Sequence, residues 1–160
     1  MRTYHHGMDE DRRYLADLML TKLARWLRMA GHDVSTPPEG ADDSDLIKVA
    51  LAEERTLMTR DRVLARRCEK SGANCLLIRS SDLEEQFGEL VDAGVSLGLN
   101  PQRCTVCNGP LEEVGESDTG DVSGRPEEGS PLWRCERCGK LYWQGSHWRG
   151  IKKRLYRIGD

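Results

Sequence analysis

From Arg13 to about Leu99 the chain alternates between short apolar runs and stretches in which apolar residues recur every three or four positions. Tyr14–Ala16 is a strand-length run that ends at Asp17. Met19, Leu20, Leu23, Ala24, Leu27 and Ala30 then follow helical spacing, and Gly31 supplies a stop. Asp33–Thr36 reads as a second strand, and Ser44–Glu54 as a helix with Leu46, Ile47, Ala50 and Leu51 inward. Thr56–Thr59 is a third strand, Arg62–Lys70 a third helix, and Cys75–Ile78 a continuous apolar strand of the kind covered on both faces. Asp82 is placed to cap a fourth helix carrying Leu83, Phe87, Leu90 and Val91. This order predicts an α/β fold, a parallel sheet flanked by helices.

Beyond Asn100-Pro101 the pattern changes. Cys104 and Cys107 form one Cys-x-x-Cys turn and Cys135 and Cys138 another, with 27 residues between the inner cysteines. Four thiolates delivered by two tight turns suit one tetrahedral Zn²⁺, and four protein ligands leave no position for water. The ion is therefore expected to be structural, one per chain. Between the pairs, residues 115–131 are rich in Gly, Ser, Asp, Glu and Pro and read as an exposed loop. Residues 146–158 are compatible with a basic helix. The expected organisation is a polar N-terminus over 1–12, an α/β domain over 13–100 and a small four-cysteine zinc ribbon with a basic tail over 101–160.

Composition changes this picture little, but charge distribution does. The 160 residues are 38% apolar and 32% charged, with a formal charge of −3. No apolar run approaches the roughly 20 residues that span a bilayer, and no secretory leader is apparent, so a cytoplasmic protein without membrane contact is expected. From Leu132 to Asp160, eight Lys and Arg face two acids, whereas from Glu112 to Glu128 seven acids face one Arg. The basic tail, with Lys152 and Lys153, is a candidate phosphate-binding surface or a solvated helix face.

The chemistry is expected at the carboxyl ends of the parallel strands, where open α/β sheets form their crevice. Asp17 ends the first strand, Asp61 follows the third, Asp82 follows the fourth, and Asp42 and Asp43 open the second helix. Taken singly, Asp61 and Asp82 read first as helix caps, and the 42–45 cluster as an acidic helix start. Taken together, carboxylates gathered on one edge repel one another unless a hard cation such as Mg²⁺ or Mn²⁺ joins them. Such a site suits metal-assisted attack on a phosphodiester. Lys22, Arg25 and Arg28, three residues apart after Asp17, are candidates for guiding a phosphate backbone. His32, in a Gly-His-Asp turn, is expected to be exposed. His147 with Trp148 would meet phosphate and base, or pack internally.

At these residues the sequence resembles the Mut-seven-C RNase family. The resemblance lies in Arg13-Tyr14-Leu15-Ala16-Asp17, the run from Met19 to Arg28, Gly31-His32-Asp33, Thr59-Arg60-Asp61, the Cys104–Gly109 turn, and Cys135 through Trp148. It implies a PIN-like nuclease domain fused to a zinc ribbon, with RNA as substrate; the partner expected here is single-stranded RNA. It further implies Asp17, Asp43 and Asp61 as the acidic positions, and more weakly Asp82 as a fourth; Thr21 departs from the Gly common in relatives. The rival from another class is a catalytically silent RNA- or ribosome-binding adaptor working through the ribbon and tail, and a third is a toxin-like nuclease held by a partner protein. Oligomeric state is left open.

Overall fold

A computed structural model describes residues 12–97, 102–114 and 132–143. Strand β1 (Arg13–Ala16) leads through Asp17 into a 3₁₀ turn (Leu18–Leu20) and helix α1 (Thr21–Met29). Then follow β2 (Asp33–Ser35), α2 (Asp43–Ala52), β3 (Arg55–Thr59), α3 (Arg62–Lys70), β4 (Cys75–Leu77) and α4 (Leu83–Asp92). The four strands are all parallel, in the order β2-β1-β3-β4. The predicted fold class is therefore the observed one.

Strand pleating sends successive side chains to opposite faces, and the core divides accordingly. Tyr14, Ala16 and Met58 pack with Leu20, Leu23 and Leu27 of the α1 layer and with Phe87 and Leu90 of α4. Leu15 and Leu57 face the other way, onto Leu46, Ile47 and Ala50 of α2 and Leu64 and Cys68 of α3. Phe87 is fully buried and meets the edge of Trp26 with ring centroids 5.3 Å apart. Truncating such a residue to Ala costs about 3–5 kcal/mol.

Two expected boundaries shift for physical reasons. The first helix is two elements: Asp17 caps a 3₁₀ turn by accepting from the Leu18 amide at 2.7 Å, and the regular helix begins only at Thr21. β4 stops at Leu77 and is half-buried rather than covered on both faces, because the strand order puts it at an edge. Ile78, just beyond it, is the fully buried residue.

The second sheet is antiparallel, with β5 (Leu111–Val114), β6 (Leu132–Cys135) and β7 (Leu141–Trp143) in chain order. Buried hydrogen bonds tie it to the parallel-sheet unit. The Arg28 guanidinium donates to Val34 O and to Thr105 O, both at 2.9 Å, and Val34 N donates to Asn108 Oδ1 at 2.9 Å. Asn108 Nδ2 in turn donates to Asp33 Oδ1 at 2.6 Å. Among the described residues no helix is long and apolar enough to cross a membrane.

Candidate functional site

β1 connects outward to β2 on one side and β3 to β4 on the other, so the topological switch point lies between the carboxyl ends of β1 and β3. Ala16 pairs with Met58 in the parallel register, which brings the next residues, Asp17 and Thr59, to that crevice. Thr59 joins the two neighbouring carboxylate residues. Its hydroxyl donates to Asp17 Oδ2 at 2.8 Å and accepts from the Asp61 amide at 3.0 Å. Asp61 Oδ1 caps α3, accepting from the Val63 and Leu64 amides at 2.9 and 3.2 Å. Capping and a site role are compatible here, because one carboxylate oxygen serves the helix and the other has no hydrogen bond among the described residues. Thr59 is the residue that a reading of the carboxylates alone misses, although it stands in the same Thr-Arg-Asp motif.

The other aspartates lie further out. Asp43 opens α2 and faces α3, where Arg67 Nη1 lies 3.6 Å from its carboxylate and Arg67 Nη2 donates to Ser44 Oγ at 2.8 Å. This pair is half-exposed and holds at most about 1 kcal/mol. Asp42 caps α2 in a reciprocal capping box with Asp45, and those amide bonds hold its carboxyl below the usual range. Asp82 caps α4 through the Glu85 amide at 3.1 Å. Among the described residues no three carboxylates lie within 4.8 Å of one another. Two buried polar atoms without a partner among the described residues, Ser35 Oγ and Arg60 Nε, belong to the residues that end β2 and follow β3. Both residues thus belong to the same sheet edge as Asp17 and Asp61.

Of the basic candidates, Lys22 and Arg25 are exposed on α1, whereas Arg28 is buried. The expectation that Arg28 faces a phosphate backbone is corrected: the Cys104–Asn108 turn docks over that end of α1, and the guanidinium is consumed by two main-chain carbonyls. His32 is also corrected. It is buried rather than exposed, with Nε2 2.6 Å from Ser96 O and its ring edge-on to Tyr14. His147, Lys152 and Lys153, the basic helix and the acidic loop lie outside the described residues.

The four cysteines converge. Their Sγ atoms lie within 4.8 Å of one another, with Cys104–Cys138 at 3.7 Å and Cys107–Cys135 at 3.4 Å. Tetrahedral Zn–S bonds of about 2.3 Å require sulfur separations of about 3.8 Å, so the donor set fits that ion. Main-chain amides supply the outer support: Gly109 N points at Cys107 Sγ, and Arg137 N and Cys138 N at Cys135 Sγ, each at 3.4 Å. A Cβ on Gly109 would lie 2.8 Å from Cys135 Sγ, so only glycine permits this approach. Burial opposes ionisation of Cys104, but the Tyr142 hydroxyl at 3.0 Å and nearby amides outweigh it and pull its thiol below the ordinary value. The cluster is a metal-capable site compatible with a zinc ribbon.

Carboxylates where parallel strands end, with cations on the adjoining helices, are compatible with chemistry on phosphate esters. Comparison with family models is specific on this point. The model of the Mut7-C RNAse domain matches residues 12–155, and the chain belongs to that family. No curated protein and no solved structure matches the chain.

Proposed function

We propose that the protein is a metal-dependent ribonuclease that hydrolyses RNA phosphodiester bonds at the carboxyl edge of its parallel sheet. The observation that carries this reading is the Asp17–Thr59–Asp61 relay at the switch point. Asp17 and Asp61 would hold Mg²⁺ or Mn²⁺, with Asp43 as third ligand and Asp82 as an outer fourth. A bound ion of this kind lowers the pKa of a water and offsets charge on the phosphoryl group. Thr59 fixes the Asp17 carboxylate by donating to Oδ2, and α3 fixes Asp61 through its first amides. Lys22 and Arg25 would attract single-stranded RNA, and the four cysteines would hold one structural Zn²⁺ that shapes the ribbon.

The test is hydrolysis of a labelled single-stranded RNA in Mn²⁺ by the unaltered protein, Asp17→Asn and Asp61→Asn. Each substitution is expected to lower turnover by on the order of 10² or more, since a metal ligand acts chiefly in the transition state. Equal cleavage by all three removes the mechanism. A second reading, a catalytically silent RNA- or ribosome-binding adaptor, draws support from the Asp43–Arg67 pair, which occupies the third carboxylate. Tight RNA binding without Mn²⁺-dependent hydrolysis would favour it.

A further inference from the structure

An open cleft of about 380 Å³ lies between α3 and the edge strand β4, lined by Arg62, Ala65, Arg66, Glu69, Leu77 and Arg79. Its position follows from the register. Leu77 pairs with Thr59, so the cleft adjoins the strand that carries the relay and lies on the α3 side of the sheet. Arg62 immediately follows Asp61, and Arg79 stands two residues past the end of β4, so two of the three guanidiniums sit at the carboxyl edge. Arg66 lies one helical turn further along the groove, roughly 6 Å from Arg62.

Among the described residues no ion pair ties these arginines to the fold. Arg62 in the first turn of α3 opposes the macrodipole, and the like charges of Arg62 and Arg66 at i and i+4 repel. None of the three forms an ion pair among the described residues; Glu69, at the far end of the cleft, pairs with none of them. By contrast Arg67, next along the helix, is paired with Asp43. Three guanidiniums with no ion pair among the described residues, around one groove whose lining begins at Arg62 next to Asp61, are an arrangement for a polyanion.

We infer that this cleft is the track for the RNA phosphate backbone, with Arg62, Arg66 and Arg79 seating successive phosphates so that the strand enters the Asp17–Asp61 crevice from the β4 edge. The inference rests on the ribonuclease reading for its substrate class, and it adds a path along α3 to the α1 face, where Lys22 and Arg25 would attract the strand.

The experiment measures binding of a fluorescently labelled single-stranded RNA across a salt series, with Asp61→Asn as the background so that no strand is cut. Adding Arg62→Gln, Arg66→Gln and Arg79→Gln should weaken binding at low salt by roughly tenfold or more. It should also reduce the slope of log K against log salt by about 2, because each phosphate neutralised on a single strand adds about 0.7 to that slope. The comparison Lys48→Gln/Lys70→Gln, which removes two exposed charges outside the cleft lining, one on α2 and one at the last residue of α3, should leave the slope unchanged. An unchanged slope in the triple variant, or an equal loss per charge in the lysine pair, overturns the assignment. Cleavage in Mn²⁺ by the protein with Asp61 intact is scored separately. If that protein cuts RNA and the cleft variant binds normally, the cleft assignment falls while the nuclease reading stands. If it cuts nothing and the cleft variant loses binding, the cleft stands as an RNA site and the nuclease reading falls.

Discussion

Arg28 reaches 77 residues along the chain to donate to the Thr105 carbonyl at 2.9 Å, while its Nε holds Val34 O at the same distance. One buried guanidinium thereby satisfies two carbonyls on either side of the contact between the parallel sheet and the cysteine turn. Arg28→Met leaves both without their donor. A hydrogen bond to a charged group contributes about 1.5–3 kcal/mol, so a loss of about 3 kcal/mol or more is expected. Lys22→Gln/Arg25→Gln, on the exposed face of the same helix, should stay within about 0.5 kcal/mol. Urea denaturation of the metal-loaded proteins decides it, and equal midpoints for Arg28→Met and the unaltered chain would refute the latch.

Removing the metal should be felt in the same place. The Cys104–Asn108 turn carries Cys104 and Cys107 of the metal-capable cluster and also the Thr105 carbonyl and Asn108 side chain that meet α1 and β2. A strong chelator is therefore expected to release about one Zn per chain and to lower the protection of the Val34 amide, which donates to Asn108 Oδ1. Gly109→Ala, whose methyl would meet Cys135 Sγ at 2.8 Å, should bind zinc on the order of tenfold or more weakly. Elemental analysis and hydrogen exchange read the two effects. Zinc retention by Gly109→Ala at the unaltered affinity would contradict the packing argument.

Acid should loosen the same junction through Asp33. Burial opposes ionisation of this carboxyl, but bonds from Asn108 and Arg55 and the nearby Arg103 outweigh it and hold its pKa below the ordinary value. The folded-state pKa is thus lower than the unfolded value of about 3.9, so the stabilisation is complete above that value and disappears as pH falls through the folded one. In Asp33→Asn this component is missing at every pH. Denaturation midpoints of the two proteins should therefore be furthest apart above about pH 4 and converge below it. A gap that stays constant on acidification would show that the carboxylate charge contributes nothing.

How far the sequence carries these conclusions depends on whether a residue's role is local. Leu23, Ala24 and Leu27 recur at helical spacing and are buried where that spacing puts them. Asp61 and Asp82 cap the helices that their positions predict, and the four cysteines converge as their two short turns require. Periodicity misplaces Arg28 because it reports which face of a helix is polar, not what docks on that face, and a turn position likewise does not reveal what covers His32. The partners that bury them, Thr105 and Ser96, lie 77 and 64 residues away. The Arg62–Arg66–Arg79 cleft is equally hidden from a linear reading. Its third arginine comes from a different element, and only the pairing of β3 with β4 brings them together.

Thr59 supplies the most direct probe of the crevice, because its hydroxyl is common to both ends of the Asp17–Asp61 relay. Thr59→Val keeps the shape of the side chain and removes the donor to Asp17 and the acceptor for the Asp61 amide. Two hydrogen bonds disappear in a buried place, which should cost about 1–3 kcal/mol of stability. If Asp17 acts in the transition state, its loosened carboxylate should lower kcat roughly tenfold with KM for RNA nearly constant, since misplacement affects the reacting geometry and not remote binding. Thr59→Ser, which keeps the hydroxyl, should recover most of that kcat. A Thr59→Val enzyme that is destabilised yet fully active would leave Thr59 a purely structural residue and separate the Asp17 carboxylate from the chemistry.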